Sequence, residues 1–336
     1  MTAYDVAKRA GVSMGTVSRY LTGNGYVGES TRARIASAVD ELGYIPNRAA
    51  ASLTTKNTGL LGFVVSDLRN PFTAEIASAL SRNARLHGYG LVLADSMNDA
   101  AISVEAVESM RAHGVDGLIV TPPESPELNE ALRRAAAVTP IVGIGLRTDP
   151  MVTDLVSSDT RTGARDAVTH LLELGHRRIC FIGSNSMASG RYRGYEDALT
   201  QAGIAVNSEL VVLGDLNRSA GYQALLQVMT LDDPPTAVFT ANDAVALGVI
   251  QAAHSVHLDV PSDLSVVGYD DVDLAAHSVP PLTTVAQPMA AMGQAAVELL
   301  VKRLQGSDRD AGPEQIVLPV QLIVRHSTGP AMDRKH

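Results

Sequence analysis

From Leu60 onward, short apolar runs that end in polar residues alternate with stretches of helical period, and this alternation restricts the fold more than any other feature. The runs are Leu60–Val65, Leu91–Ala94, Leu118–Val120, Ile141–Ile144, Ile179–Ile182, Val211–Leu213, Ala237–Phe239 and Leu264–Val267. Helical patterns fall between them, among others Phe72–His87, Ser103–His113, Arg161–Leu174, Tyr192–Ala202 and Ala220–Met229. Strand alternating with helix requires parallel sheets with helices on both faces. Eight or more strands over about 270 residues predict two doubly wound lobes rather than one large sheet. Leu155–Ser158 reads as an additional short strand, and Pro280-Pro281-Leu282-Thr283-Thr284 breaks the rhythm before a long helix from about Met289 to Leu304. Val317–Val324 returns as strand interrupted by Pro319, so the chain is expected to cross between the lobes more than once.

The first 57 residues follow another pattern. Thr2 with Asp5 three positions on is a capping box opening the run Tyr4 to Ala10, which Gly11 stops. Ser13 caps a second run, Met14 to Tyr20, ended by Thr22-Gly23-Asn24-Gly25. Two short helices joined by a tight turn containing Gly have the outline of a helix-turn-helix. A third helix is predicted from about Ser30 to Leu42, with Ile35, Ala38, Val39 and Leu42 on one face and Gly43 closing it.

Charge separates these regions. The whole chain of 336 residues carries −9, which taken alone argues against a nucleic-acid partner. The first 57 residues, however, hold seven basic side chains (Lys8, Arg9, Arg19, Arg32, Arg34, Arg48, Lys56) against four acidic ones (Asp5, Glu29, Asp40, Glu41). Their net of +3 leaves −12 on the remainder. A basic helical head on an acidic α/β body suits phosphate contact at one end and repulsion from DNA at the other, although a packing domain with ordinary surface charge reads the same way. The single cysteine, Cys180, excludes an internal disulfide, and it sits in an apolar strand pattern that predicts a buried inert thiol. No apolar run reaches the ~18 residues of a membrane span, and the amino terminus lacks the apolar stretch of a secretory signal, so the expected location is the cytoplasm.

Several spaced motifs carry a resemblance. Tyr4-Asp5-Val6-Ala7, Ala10-Gly11-Val12-Ser13, Thr16-Val17-Ser18-Arg19 and Leu42-Gly43-Tyr44-Ile45-Pro46-Asn47-Arg48-Ala49 resemble the head and hinge of the LacI/GalR family of bacterial transcription regulators. The likeness continues through Asn70-Pro71-Phe72, Gly114-Val115-Asp116-Gly117, Leu174-Gly175-His176-Arg177-Arg178-Ile179, Ala241-Asn242-Asp243-Ala244-Val245-Ala246-Leu247-Gly248, Val267-Gly268-Tyr269-Asp270-Asp271 and Pro281-Leu282-Thr283-Thr284-Val285. The resemblance implies a small all-α helix-turn-helix head on an α/β two-lobed core of the periplasmic-binding-protein (type I) kind. The expected divisions are 1–45 for the DNA-binding domain, 46–58 for hinge helix and linker, and 59–336 for the effector-binding and dimerisation core. Within the core the lobes are expected at about 59–156 plus 288–318, and about 157–285 plus 319–330.

By the same resemblance the second helix enters the major groove. Met14, Gly15 and Arg19 then fall at base-reading positions. Arg19 offers a bidentate fork to guanine, Met14 only apolar contact, and Gly15 no side chain. Ser13, Thr16 and Ser18 are expected on phosphates, and Thr2, Tyr44, Asn47 and Arg48 complete the DNA contacts. Asn47–Leu53 resembles a hinge helix in which Ala50 allows close pairing and Leu53 wedges into the minor groove, although composition alone would make this stretch a linker.

Ligands of open α/β sheets bind beyond the carboxyl ends of the strands. Asp67, Asp95, Thr121, Ser184, Asn242 and Asp270 stand there; such residues line a cleft or cap the next helix. The resemblance adds Asn70, Phe72 as a stacking ring, and Arg191 with Asp270 as a pair gripping neighbouring hydroxyls. Gly145 stands where members of the family often carry Asp, which leaves room for a bulkier or less hydroxylated effector than a simple sugar.

Nothing in the motifs supports catalysis, a cofactor or a metal centre: there is no Gly-x-Gly-x-x-Gly after the first strand, no Gly-x-Ser-x-Gly elbow and no phosphate loop. His254 and His257 fall where one helix face could hold both, without a third ligand nearby. A solute receptor for transport would use the same lobes, but the capped basic head occupies the place of its signal peptide. The reading is a homodimeric regulator of a near-palindromic operator, expected to act as a repressor, with no membrane partner and with the effector as inducer or corepressor.

Overall fold

A computed structural model describes residues 1–22, 25–44, 57–121, 125–145, 153–184, 189–306 and 312–332. The chain divides into two compact units, residues 1–60 with 114–116, and 61–113 with 117–336.

The first unit opens with three helices, α1 (Ala3–Ala10), α2 (Met14–Thr22) and α3 (Glu29–Leu42). The capping box is formed: Thr2 N donates to Asp5 Oδ2 at 2.8 Å and Asp5 N to Thr2 Oγ1 at 3.3 Å. Gly11 ends α1 at φ 64°, a left-handed conformation that a side chain would strain. Gly43 ends α3, and Tyr44 N reaches back to Val39 O at 3.0 Å. Val6, Ala7 and Ala10 of α1, Val17 of α2, Val27, and Ile35 and Ala38 of α3 form one small core. Residue 45 and, of the expected hinge, residues 46–56 lie outside the described residues, and with them Asn47, Arg48, Ala50 and Leu53. Beyond it, Asp116 accepts from Thr58 N at 2.8 Å and Gly59 N at 2.7 Å.

The second unit runs β1 (Leu60–Val65), α4 (Pro71–Leu86), β2 (Gly90–Asp95), α5 (Ala100–Ala112), β3 (Gly117–Val120), α6 (Pro126–Ala136), β4 (Ile141–Ile144) and β5 (Asp154–Ser158). It continues with α7 (Thr160–Glu173), β6 (Ile179–Gly183), α8 (Gly190–Gln201), β7 (Val211–Leu213), α9 (Arg218–Val228), β8 (Ala237–Thr240), α10 (Asp243–Ser255), β9 (Ser265–Asp270), α11 (Asp273–His277) and β10 (Thr283–Ala286). The last elements are α12 (Met289–Leu304), β11 (Gln315–Leu318) and β12 (Gln321–Ile323).

Two six-stranded sheets result, ordered β11-β5-β4-β3-β1-β2 and β12-β10-β9-β8-β6-β7. β1, β3, β4, β5 and β11 pair in parallel, as do β7, β6, β8, β9 and β10, while β12 joins β10 antiparallel. The central strands are buried along their length because helices cover both faces, which is why their sequences are continuously apolar. The late helix α12 puts Met292, Ala296, Val297 and Leu300 into the core of the first sheet with Leu61, Phe63 and Ile119. The chain thus crosses between the sheets at residues 158–160, 286–289 and 318–321, and Asp159 N donates to Leu318 O at 2.9 Å across two of these crossings.

Two expectations are corrected. Thr283–Ala286 is a strand inside the second sheet, not a break. Its threonines are fully buried but satisfied: Thr284 Oγ1 donates to Asp243 Oδ1 at 2.5 Å, and Arg325 N donates to Thr283 Oγ1 at 3.0 Å. Polar residues next to two prolines resemble a loop until their tertiary partners are known. His254 and His257 do not share a helix, since α10 ends at Ser255 and His257 sits at φ 60°.

Candidate functional site

In α2 the side chains divide by face. Val17 is fully buried, whereas Met14, Gly15, Ser18 and Arg19 are exposed. Ser13 caps the helix, accepting from Thr16 N at 3.3 Å, and its hydroxyl lies 2.9 Å from that of Thr16. Arg19 Nε donates to Gly15 O at 3.1 Å, which ties one guanidinium nitrogen to the helix backbone. Gly15 therefore contributes a carbonyl, not a side chain, to the orientation of the arginine. Thr2 spends its hydroxyl on the capping box, and Tyr44 packs half-buried against the core of the head.

In the two-sheet unit the named polar residues all stand at carboxyl ends of strands or at the helix starts that follow. On the first sheet, Asp67 is gripped by Arg69 through two bonds of 2.9 Å, and this pair holds the Asp67 carboxyl below its ordinary range. Asp95 accepts from Met97 N at 3.0 Å and Leu68 N at 3.4 Å, which ties the loops after β1 and β2 together. Asn70 caps α4, accepting from Phe72 N at 3.1 Å, and Phe72 packs half-buried on the core. Thr121 Oγ1 is buried without a hydrogen-bond partner among the described residues. A Cβ on Gly145 would meet nothing within 4 Å among the described residues.

On the second sheet, Asp270 is almost wholly buried and receives Arg191 Nη2 at 3.3 Å and Gln287 Nε2 at 2.7 Å, both on Oδ1. Burial raises the Asp270 carboxyl above its usual range and the Arg191 charge opposes that rise. The Arg191 guanidinium lies 4.3 Å above the centre of the Tyr269 ring, and its buried Nε has no partner among the described residues. Asp270 and Asp271 both take positive φ, 115° and 61°, an uncommon backbone for non-glycine residues that cluster where function demands it. Asn242 is engaged at both ends of its amide: its oxygen caps α10 by accepting from Val245 N at 2.9 Å, and its nitrogen donates one hydrogen to Leu216 O at 3.1 Å.

The geometry thus joins Arg191 to Asp270, and Asp67 to Asp95 through the Leu68 loop, and among the described residues no hydrogen bond or ion pair links these two groups. The candidate residues named from sequence omitted Gln287, Tyr269 and Asp243. Asp243 is fully buried, and it accepts from Thr284 and, at 2.9 Å, from Val272 N. Burial first, and then the charge of Asp270, raise its carboxyl. Gln287 precedes Pro288 at the start of α12, and nothing in its local sequence indicates its partners. Cavities of about 320 and 370 Å³ lie at the opposite, amino ends of the strands, one beside His176 and Thr236, the other beside Pro140 and Asp154.

Comparison with known proteins fits this division. Residues 2–47 match the bacterial regulatory proteins of the lacI family, and residues 168–328 match the periplasmic binding protein-like domain. The chain is 35% identical to the HTH-type transcriptional regulator DegA of Bacillus subtilis over 98% of each chain. It is 37% identical to the HTH-type transcriptional repressor PurR of Pectobacterium carotovorum, covering 99% of this chain and 98% of that one. The chain belongs to the lacI family of bacterial regulatory proteins. As a member it is a DNA-binding regulator of transcription. Among solved structures, the lac repressor dimer bound to operator and the anti-inducer ONPF superposes with a TM-score of 0.87 at 32% identity, over 98% of this chain and 99% of that one. A complex of the transcriptional regulator CelR with cellobiose gives 0.73 at 33% identity, over 97% and 99%. Among the described residues no helix is long and apolar enough to cross a membrane, and no group of His, Cys, Asp and Glu is placed to hold a metal ion.

Proposed function

We propose that this regulator is a homodimeric repressor whose grip on a near-palindromic operator is switched by a small polar effector held between the lobes. Residues 1–45 form the DNA-binding head, 46–58 the hinge, and the remainder the sensor. The observation that carries the reading is the pairing, in one chain, of an exposed recognition face on α2 with an Arg191–Asp270 pair at the carboxyl ends of the strands, in which the buried Arg191 Nε has no partner among the described residues. Two-fold symmetry of the dimer would mirror that of the operator.

Arg19 reads a base edge, Met14 makes apolar contact beside it, and Ser13, Thr16 and Ser18 set the helix on phosphates. Arg191 and Asp270 orient effector hydroxyls or amides, Phe72 supplies an apolar wall, and Asp67, Asp95 and Thr121 complete the opposing side. Gly145, standing where members of the family often carry Asp, leaves room for a bulkier or less hydroxylated effector than a simple sugar. Effector occupancy shifts the balance between lobe arrangements and so the presentation of the paired heads. Leu53 acts as the minor-groove wedge, so Leu53→Ala reduces DNA bending together with affinity.

Selection of bound duplexes from a randomised library defines the operator. Against it, Arg19→Ala is expected to lose about 1–3 kcal/mol of affinity with little change on random DNA. Equal loss on both would confine Arg19 to phosphate contact. A thermal-shift screen of sugars, disaccharides and nucleosides then identifies the effector, and its stabilisation is expected to vanish in Arg191→Ala and Asp270→Ala. A full shift in either variant would move the site elsewhere.

A further inference from the structure

Three crossings join the two sheets, and one buried side chain stands between them and the carboxylate that the effector is read to touch. Ser158 is the last residue of β5, at the first crossing, and is 6% exposed. Gln287 lies between β10 and α12, at the second crossing, and is 8% exposed. Ser158 Oγ donates to Gln287 Oε1 at 2.5 Å, and Gln287 Nε2 donates to Asp270 Oδ1 at 2.7 Å. The backbone repeats the tie, with Gln287 N donating to Asp270 O at 3.1 Å. The third crossing is bound to the first through Asp159 N and Leu318 O, and Leu318 pairs with Ser158 in the sheet.

We infer that Gln287 is the positioning residue that couples the effector pocket to the hinge between the lobes, through the chain Asp270–Gln287–Ser158. An amide bonded at both ends has a fixed orientation, because its oxygen and nitrogen are not interchangeable toward a hydroxyl donor and a carboxylate acceptor. Asp270 Oδ1 already serves two donors, Arg191 and Gln287. A third donor from an effector at the same oxygen competes with Gln287, and any rotation of that amide is felt at Ser158 because both ends are buried away from substitute water partners. The coupling passes from the pocket to the hinge without a contact between effector and hinge. This role rests on the reading of Asp270 as an effector contact, but its structural core is open to test without any effector.

The experiment is electron–electron distance measurement on the ligand-free full chain, with spin labels at cysteines introduced as Glu105→Cys on α5 and Gln201→Cys on α8, diluted with unlabelled chain. Both positions are exposed, and the native Cys180 is fully buried and so spared. Gln287→Met keeps the length of the side chain and removes both bonds; Ser158→Ala and Asp270→Ala each remove one end. The expected result is a broader distribution of distances between the lobes in all three, and no further broadening when Gln287→Met is combined with either of the others, since one break already opens the chain. A role confined to packing would lower Tm without changing the distribution, so an unchanged distribution in a folded Gln287→Met overturns the inference. Broadening in Gln287→Met but not in Asp270→Ala would equally overturn it, because the pocket would then not reach the hinge. As no effector is added, failure to find one at Asp270 leaves this outcome legible on its own.

Discussion

The two sheets are built in the same strand order, edge to edge, yet their carboxyl ends are finished in opposite ways. The first sheet ends in Asp67, paired with an Arg69 that is 80% exposed, and in Asp95, held by backbone amides of two loops. The second ends in Asp270 and Asp243, both buried, bonded to Arg191, Gln287, Thr284 and the backbone of Val272. An exposed ion pair is weak and easily rearranged, whereas a buried network is costly to leave half-satisfied and so holds one geometry. One fold therefore presents an adaptable wall and a preorganised one.

The largest effect expected from this contrast is on Asp243. Asp243→Ala strands the Thr284 hydroxyl and the Val272 amide in a dry interior, and denaturant unfolding at pH 5 is expected to show a loss of about 3 kcal/mol. A loss below 1 kcal/mol would mean that the site relaxes or admits water. Next comes packing beneath the same sheet. A Cβ on Gly248 would stand 2.0 Å from Arg218 O, so α9 and α10 must separate in Gly248→Ala, at a cost of about 1–3 kcal/mol by the same measurement.

The pH dependence separates the walls by sign. Asp243 keeps its proton longer when folded than when unfolded, so its contribution is complete below its ordinary value of 3.8 and declines as pH rises through the raised folded value. Asp67 is depressed by Arg69, so its contribution is present above 3.8 and is lost as pH falls. Tm measured from pH 4 to 9 should flatten on the alkaline side in Asp243→Asn, and the comparison fails if the two slopes stay parallel. The smallest effect is expected for Asp67→Asn at neutral pH, with Tm unchanged within error, because its partner is solvated.

Much of this was legible from residue order. The alternation of apolar runs and helical periods located most of the strands, since a strand covered on both faces by helices must be apolar throughout. Caps at Thr2 and Ser13 and the stop at Gly11 are local, satisfied within three or four residues, and so visible locally. Asp270 was legible as a polar residue ending an apolar run, whereas Arg191 and the pairing of the two came from likeness to a family, since 79 residues separate them. β10 was missed because buried threonines beside prolines look like a loop, and Gln287 because its partners lie 17 and 129 residues away.

Sequence alone determined the periodicity, the caps and the separation of a basic head from an acidic body, because each depends on near neighbours or on composition. Only the tertiary structure decided which polar groups are spent and which remain available. Asn242 caps a helix and reaches a loop carbonyl, Arg191 keeps a buried Nε without a partner among the described residues, and Gln287 bridges Ser158 and Asp270. The reason is that hydrogen-bond satisfaction in a dry interior belongs to the assembled three-dimensional environment, and a chain read in one dimension carries the donors and acceptors without their pairing.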